Sequence, residues 1–373
     1  MSFRYAAGIN KPGFNPLAAQ TPTYLYNLFS WGSGQFGQLG VNNITNYSSP
    51  MQVGSDYWLT VSCTYTGSLA IRTDGTLWVW GRNQNGQLGL GNTTNRSSPT
   101  QVGALTSWLT ITGGYQHVLS VKTDGTLWTW GYNSAGQLGL GNTTSYSSPK
   151  QVGALTNWLN VAGGYSFSMA TKTDGTLWSW GSGSFGQLGL GNTTTYSSPK
   201  QVGALTNWTN VFCTKGSAST IALKTDGTLW SFGANYAGVL GLSNTTNYSS
   251  PKQIGALTNW SIGSLNSSAG FVKTNGTLWS WGSGNYGQLG IGNTTYYSSP
   301  KQIGALTTWL YVAVIGNSML ASKTDGTLWS WGYNTTGELG LGNTTNYSSP
   351  KQIGSSTTWN KVAGGSSHFV AQG

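Results

Sequence analysis

Acidic side chains come first in a search for chemistry, because general acid–base catalysis needs a carboxylate or an imidazole beside the substrate. The 373-residue chain has only seven: Asp56, Asp74, Asp124, Asp174, Asp226, Asp325 and Glu338. Five of the aspartates stand at the same place in a recurring Asp-Gly turn, so they belong to separate units of the fold. Two carboxylates that act together on one substrate have to lie close to each other in the fold. The sequence therefore predicts no acid–base site.

Histidine and cysteine add little to this inventory. His117 and His368 share one repeat position, and neither has an obvious carboxylate partner to orient it as a base. Cys63 and Cys213 share another position in non-adjacent units, so a disulfide, which needs Cα atoms closer than about 7 Å, is not expected. No cluster has the ligands of a metal site, and no glycine-rich stretch ends in the Gly-Lys-Ser/Thr of a phosphate loop. We expect no enzyme activity, no cofactor and no metal.

The elements that carry these residues repeat. The run Thr123-Asp-Gly-Thr-Leu-Trp128 recurs along the chain, followed each time by a Gly-x-Leu-Gly tag. The tag begins at Gly37, Gly86, Gly136, Gly186, Gly238, Gly287 and Gly337. The period is therefore about fifty residues, which is typical of solenoids and propellers.

Each repeat contains four predicted strands. Asp124-Gly125 predicts a two-residue type I′ hairpin turn, flanked by strands at 118–123 and 126–130. A first strand precedes them at 108–112, and a short fourth follows at 149–152. Seven such units predict an all-β, seven-bladed β-propeller of four-stranded antiparallel blades.

The two ends of the chain are predicted to share one blade. Residues 26–32 match a third strand, whereas 359–365 and 367–371 match a first and a second strand. One blade built from both termini closes the ring and removes an open sheet edge. We therefore predict an extended arm at residues 1–23 and a propeller at residues 24–373.

The motifs resemble a known family. Gly-Gly-Tyr-Gln-His117, Lys-Thr-Asp-Gly125, Trp-Thr-Trp-Gly131, Gly-Gln-Leu-Gly139 and Pro149-Lys-Gln-Val152 are similar to the regulator-of-chromosome-condensation repeat. The resemblance runs from about residue 25 to the C-terminus and implies a seven-bladed propeller. The family includes exchange factors, chromatin binders and secreted inhibitors, so the fold alone does not decide the function.

The net charge of +10 raises nucleic acid as a partner. The basic residues, however, form two sets spread around the ring. One precedes the turns (Arg72, Lys122, Lys172, Lys224, Lys273 and Lys323), and the other begins the outermost strands (Lys150, Lys200, Lys252, Lys301 and Lys351). Together they predict a circumferential belt that protects strand edges, and phosphate binding is the weaker interpretation. The nineteen tryptophans all fall at repeat positions, which indicates core packing rather than sugar stacking.

Two segments differ between copies, one after the first strand and one after the third. Because strands alternate in direction, both should emerge on one face of the disc. Loops on a rigid scaffold often carry recognition, and their Tyr, Asn, Ser and Gly content resembles that of antibody paratopes. Drift of unconstrained loops is the alternative. The predicted binding face comprises Tyr65, Arg82, Tyr115, Gln116, His117, Tyr132, Tyr165, Phe167, Phe185, Lys215, Tyr236, Tyr286, Tyr333 and His368.

Residues 1–23 do not match the repeat and are rich in proline and glycine. They are either a disordered tail or an anchor that buries Phe3, Tyr5, Phe14 and Leu17. The N-terminus lacks the apolar core of a signal peptide, and no apolar run is long enough to span a membrane.

These features favour a non-enzymatic recognition propeller that binds a protein or a surface glycan. Its composition suggests a microbial or phage attachment module at a virion or cell surface. An extracellular or virion-associated location is expected, and a cytoplasmic one is left open. A soluble enzyme inhibitor is the alternative. Guanine-nucleotide exchange and chromatin binding rank lowest, because the nearly uniform spacing leaves no insertion for a protruding wedge.

Overall fold

Seven four-stranded antiparallel sheets make up the described part of the chain, residues 25–373 of a computed structural model. The proposed arm, with Phe3, Tyr5, Phe14 and Leu17, lies outside the described residues. In six sheets the strands follow each other in chain order from one side of the sheet to the other. The predicted seven-bladed β-propeller is confirmed.

The strands have the following bounds, with each blade numbered by its place in the chain. Blade 7 contains β1 (Leu28–Gly32) and β2 (Tyr47–Gln52). Blade 1 contains β3 (Trp58–Cys63), β4 (Gly67–Arg72), β5 (Leu77–Gly81) and β6 (Arg96–Gln101). Blade 2 contains β7 (Trp108–Gly113), β8 (His117–Lys122), β9 (Leu127–Gly131) and β10 (Tyr146–Gln151). Blade 3 contains β11 (Trp158–Gly163), β12 (Phe167–Lys172), β13 (Leu177–Gly181) and β14 (Tyr196–Gln201).

The second half continues the pattern. Blade 4 contains β15 (Trp208–Cys213), β16 (Ser219–Lys224), β17 (Leu229–Gly233) and β18 (Tyr248–Gln253). Blade 5 contains β19 (Trp260–Leu265), β20 (Ser268–Lys273), β21 (Leu278–Gly282) and β22 (Tyr297–Gln302). Blade 6 contains β23 (Trp309–Ile315), β24 (Ser318–Lys323), β25 (Leu328–Gly332) and β26 (Tyr347–Gln352). Blade 7 is completed by β27 (Val362–Gly364) and β28 (His368–Gln372). From residue 25 onward, no helix is long and apolar enough to cross a membrane.

Blade 7 joins the two ends of the chain. Its strand order is β2-β1-β28-β27, with β1 and β28 antiparallel and Trp31 opposite Phe369. The Asn27 amide also donates to the Gly373 carbonyl at 3.0 Å. The predicted sharing of one blade by both termini is confirmed.

The Asp-Gly turn differs from the type I′ prediction. The Gly125 amide donates to the Lys122 carbonyl at 2.9 Å, which places Thr123 and Asp124 at the centre of the turn. Of these three loop residues only Gly125 has a positive φ, +77°, so the loop is a type I turn followed by a left-handed glycine. The Asp124 side chain is the cause, because its Oδ1 accepts hydrogen bonds from the Thr126 amide and hydroxyl at 2.9 and 2.6 Å.

The hydrophobic core lies between blades. One buried cluster, for example, combines Leu119 and Leu127 of blade 2 with Trp158 and Trp180 of blade 3. Seven clusters of this kind follow one another around the ring. Most tryptophans are buried in them, so the regular spacing of tryptophan reflects packing between blades.

The first basic set is not part of an exposed belt. Lys122 is 6% exposed, and its Nζ lies 3.7 Å from the ring centre of Trp128 and 4.9 Å from that of Trp108. Arg72, Lys172, Lys224, Lys273 and Lys323 sit over the equivalent tryptophans. Their charge is used in cation–π contacts. The second set, from Lys150 to Lys351, is exposed at the outer strands as expected.

Removing residues 366–373 is expected to unfold the ring. The deletion takes away β28, which pairs with both β1 and β27. Each backbone group left buried without a partner costs about 1–3 kcal/mol, against a total stability of about 5–15 kcal/mol. The truncated chain should aggregate or melt far lower in thermal unfolding followed by circular dichroism.

A circular permutant provides the control. It joins Gly373 to Asn27 through a short linker and opens the chain in the exposed loop 203–206, so that every strand is kept. We expect it to fold. A truncated chain that melts like the intact protein would contradict the shared blade.

Candidate binding face

The loops after the first and third strands of each blade meet on one face of the disc, which we call the loop face. The amide of the first residue after the third strand donates to the carbonyl of the loop after the first strand. Tyr132 to Gln116 (2.9 Å) and Ser182 to Ser166 (2.9 Å) are two examples. The contact recurs in all seven blades, so the framework holds both variable segments side by side.

A row of three tyrosines lies nearest the central channel, and we call it the tyrosine row. Tyr65, Tyr115 and Tyr165 come from blades 1, 2 and 3, with ring centres 4.6 and 4.5 Å apart. The Tyr115 amide donates to the Gly164 carbonyl at 3.0 Å, which joins their loops. Burial, with the neighbouring Tyr115 and Tyr165, raises the pKa of Tyr65. The row presents a nearly continuous aromatic edge with hydroxyl groups.

His117, Phe167 and His368 are corrections to the predicted binding face. All three are fully buried, because each begins the second strand of its blade and points into the interface with the next blade. A partner on the loop face cannot reach them.

The two histidines connect adjacent blades. His117 Nε2 lies 2.9 Å from the Ser168 hydroxyl. That hydroxyl donates to the Gln137 carbonyl at 2.7 Å, so it accepts from the imidazole, whose proton is on Nε2. Burial lowers the pKa of His117 to about 3. Burial, with the nearby Lys215 amine, lowers the pKa of His368 to about 3.

Lys215 crosses the mouth of the central channel. Its Nζ donates to the Gly364 carbonyl of blade 7 at 2.8 Å, although the residue belongs to blade 4. The channel encloses about 320 Å³ between the first strands, with Lys215 in its lining. Burial lowers the pKa of this amine. Lys215 therefore links blade 4 to blade 7 across the channel, and its amine points to a backbone carbonyl.

The other predicted residues lie farther from the channel. The Arg82 guanidinium is 5.0 Å from the ring centre of Phe36 in blade 7. Tyr286 and Tyr333 form an edge-on pair with ring centres 4.8 Å apart. Gln116 and Tyr132 are half-buried beside the tyrosine row. These residues share the loop face but do not converge on one point.

A cleft of about 460 Å³ opens on the loop face among blades 3, 4 and 5, and we call it the aromatic cleft. Tyr165 (45% exposed), Phe185 (41%), Tyr236 (61%) and Tyr296 (48%) line it. Phe185 and Tyr236 meet edge-on at 6.1 Å. Its polar lining includes Ser217, Asn266, Ser267 and Ser283.

Tyr296 and the polar lining of the cleft were missed from the sequence. A signal for Tyr296 was present in the sequence. The residue just before the outermost strand is Asn, Ser or Thr in the six other blades, and only blade 5 has a tyrosine there. The polar residues had no signal of their own, since serine and asparagine are common in every loop of this chain.

Within residues 25–373, no three His, Cys, Asp or Glu side chains come together in an arrangement that could hold a metal ion. Burial tends to raise the pKa of Asp124, but the hydrogen bonds from Thr126 outweigh it and hold this pKa below the usual range. Burial raises the pKa of the Cys63 thiol to about 11.

The sequence matches the regulator of chromosome condensation (RCC1) repeat seven times, at residues 27–71, 74–121, 124–171, 174–223, 226–263, 275–318 and 325–372. The chain belongs to the RCC1 repeat family. A second description of the same repeat matches residues 59–87, 109–137 and 158–187. The resemblance inferred from the motifs is thus confirmed. A microbial or phage origin is not shown by these matches.

Solved structures share the fold. Human WBSCR16 superimposes with a TM-score of 0.82 at 21% identity, over 94% of this chain and 99% of that one. Prp20p from Saccharomyces cerevisiae gives 0.85 at 18% identity, over 99% and 96%. Yeast RCC1 (Prp20) in a structure with Kap60 gives 0.84 at 18% identity, over 100% and 96%. Among curated proteins, no sequence matches the chain. At these identities the structures establish the fold alone.

The buried histidines predict an acid-sensitive fold. Their folded-state pKa is about 3, against an ordinary value of 6.5. Below pH 6.5 the unfolded chain therefore binds protons that the folded chain does not. The stability that each neutral imidazole contributes is present above that pH and is lost as the pH falls toward 3, at up to about 1.4 kcal/mol per pH unit.

A substitution taken from the chain itself tests this. Blade 3 has Phe167 where blade 2 has His117, and both rings pack against a glycine, Gly164 or Gly114. When the pH is lowered from about 7 to 5, the free energy of unfolding of the unaltered protein should fall by about 2 kcal/mol more than that of the His117→Phe variant. Urea unfolding at the two pH values measures this, and identical losses would contradict a neutral buried His117.

Proposed function

We propose that this chain is a non-enzymatic recognition propeller that binds a macromolecule through its loop face. The observation that carries the proposal is the exposed aromatic surface held on a rigid framework. Tyr165, Phe185, Tyr236 and Tyr286 are each at least 40% exposed, although contact between a large apolar ring and water is unfavourable. Tyrosine anchors with small polar neighbours are the composition of antibody paratopes.

Relatives in fold give limited support. The structural report on Prp20p describes binding to Gsp1p and histones, and yeast RCC1 was solved bound to Kap60. These partners belong to those proteins. For this chain they support only a general role in macromolecular binding.

The charge distribution favours aromatic recognition over phosphate binding. Five lysines and Arg72 are placed over tryptophan rings near the turns, which removes them from an open cationic surface. The remaining set, Lys150, Lys200, Lys252, Lys301 and Lys351, is spread around the rim. A nucleic acid needs several phosphate contacts in one track, and a ring of single lysines supplies few of them at once.

Attachment to a virion or cell surface is the most concrete form of this proposal. In it the loop face meets the partner, and residues 1–23 anchor the propeller. An extracellular or virion-associated location goes with this form. The compositional arguments for it are the low fraction of charged residues, 6%, and the polar loops.

Alanine substitutions on the loop face test the proposal. Tyr115→Ala, Tyr165→Ala and Arg82→Ala together should weaken binding of the labelled full chain to intact cells at least tenfold, or about 1.4 kcal/mol. Tyrosine and arginine are frequent hot spots of interfaces. Saturation binding measures the affinity, and thermal unfolding verifies the fold.

Lysines of the rim supply the matched control. Lys150→Ala and Lys200→Ala remove two exposed charges and should change the affinity little. If these two variants abolish binding while the loop-face variants leave it intact, a charge-driven function replaces the proposed one.

A further inference from the structure

The long loop after each third strand is normally fastened by a side chain of its own blade, which we call the first loop cap. In blade 2, Gln137 Oε1 accepts a hydrogen bond from the Ala135 amide at 2.9 Å. Six blades have this cap, formed by Gln38, Gln87, Gln137, Gln187, Gln288 and Glu338. Blade 4 has Val239 at the same position, which has no atom that could accept the bond.

Loss of this cap coincides with a changed backbone. Residues Tyr236–Gly238 form a short 3₁₀ turn, and Ala237 is left-handed with φ 56° and ψ 18°. This conformation is strained for alanine, and such strain is retained mostly where function needs it. Tyr236, at the start of the turn, is 61% exposed over the aromatic cleft.

The same loop normally has a second cap, from the residue just before the outermost strand. In blade 1, Asn95 Oδ1 accepts from the Asn83 amide at 2.8 Å. Asn46, Ser145, Thr195, Asn247 and Asn346 accept in the same way in five other blades. Blade 5 has Tyr296 instead, and its ring lines the aromatic cleft while 48% exposed.

A third departure lies in the loop after β15. It contains five residues, 214–218, whereas the loops after β7 and β11 contain three, 114–116 and 164–166. The longer loop places Ser217 in the lining of the cleft. The hydroxyl of Ser217 is buried and has no hydrogen-bond partner among residues 25–373.

All three departures line one cleft. Random drift would scatter lost caps and inserted residues over seven blades, whereas here they fall on neighbouring loops of blades 4 and 5. Sequences break their own structural rules mainly at functional sites. Building on the proposed function, we propose that the aromatic cleft binds an uncharged saccharide segment of the partner.

The lining chemistry selects this ligand class. Four exposed aromatic rings offer faces to the C–H groups of sugar rings. Ser267 and Ser283, both half-buried in the lining, offer hydroxyl groups to sugar hydroxyls. No Asp, Glu, Lys or Arg belongs to the lining, so a carboxylate or sulfate on the sugar finds no opposite charge. The volume of about 460 Å³ suits a small ligand, since such sites enclose about 300–1,000 Å³.

A peptide that binds by adding a strand to a sheet edge, where main-chain groups pair in a row, does not fit the cleft. The aromatic cleft is lined by loop residues and the ends of strands, and it offers no such edge. A saccharide needs only scattered hydrogen-bonding groups around an apolar surface, which matches the observed lining.

The test uses the full chain on an array of short uncharged oligosaccharides, with sialylated and sulfated glycans alongside. We expect binding to uncharged glycans, followed by titration calorimetry on the best one. Tyr236→Ala and Tyr296→Asn should each weaken this binding at least tenfold. Tyr296→Asn also restores the amide of the second cap, so its melting temperature should be unchanged or higher, which excludes unfolding as the cause.

Two matched controls separate the cleft from its surroundings. Tyr57→Ala removes an exposed ring (44%) that precedes the first strand of blade 1, on the side of the disc opposite the loop face, and it should keep full affinity. Asn346→Tyr copies the blade 5 change into blade 6. It should lower the melting temperature, because it removes a cap, and it should leave saccharide binding unchanged.

Three results would overturn the inference. One is saccharide binding that survives both Tyr236→Ala and Tyr296→Asn, and another is a preference for charged glycans. The third is the absence of saccharide binding while the cleft variants still weaken binding to cells. That last result rejects the saccharide but keeps the proposed function, which fails separately if the Tyr115, Tyr165 and Arg82 variants bind cells normally.

Discussion

The contact that holds this ring together is the one between a tryptophan of one blade and the backbone of the blade before it. The Trp130 indole donates to the Gln87 carbonyl at 3.0 Å. A Cβ atom on Gly89 would lie only 2.7 Å from the same indole nitrogen, so the close approach requires glycine. Equivalent bonds join four other pairs of blades, through Trp31, Trp180, Trp281 and Trp331. The Trp-Gly and Gly-x-Leu-Gly motifs are therefore two halves of one interface.

Closure of the ring makes these interfaces depend on each other. In an open array each terminal repeat has one unpaired side, whereas in this ring every blade contacts two neighbours, and blade 7 is built from both ends of the chain. In the loop after each third strand the Gly-x-Leu-Gly tag makes the interface, and the variable segment, such as residues 132–135, precedes it. The variable segments can therefore change without loss of the core, which supports the proposed recognition role.

The fold was largely predictable because a fifty-residue period repeats the same local signals seven times. The turn type was not predictable, since Asp-Gly also suits a type I turn once the Asp124 carboxylate binds the Thr126 amide. The placement of Lys122 over Trp128 was missed because charged side chains are normally expected in water, and the ring face that shields this amine is visible only in three dimensions. His117 was assigned to the surface because it follows a variable loop, although it already begins β8 and alternates inward.

The aromatic cleft was only partly predictable for a related reason. Sequence comparison among blades shows that Val239 and Tyr296 are exceptional. It does not show that each of the two positions normally caps the loop after the third strand of its own blade. That link requires hydrogen-bond geometry, and the convergence of blades 4 and 5 requires the ring.

Blade 4 shows how the ring tolerates such specialisation. It has Phe232 where most blades have the interface tryptophan, so the indole bond to blade 3 is lost. The Gln187 carbonyl still accepts from the Thr220 hydroxyl at 3.0 Å, as the Gln137 carbonyl accepts from Ser168 beside its indole bond, and Gly189 contacts the phenyl ring. The interface thus keeps a hydrogen bond and its packing. Because changes at separate sites add nearly independently, one blade can give up a cap, worth about 1 kcal/mol, while the other interfaces keep the ring folded.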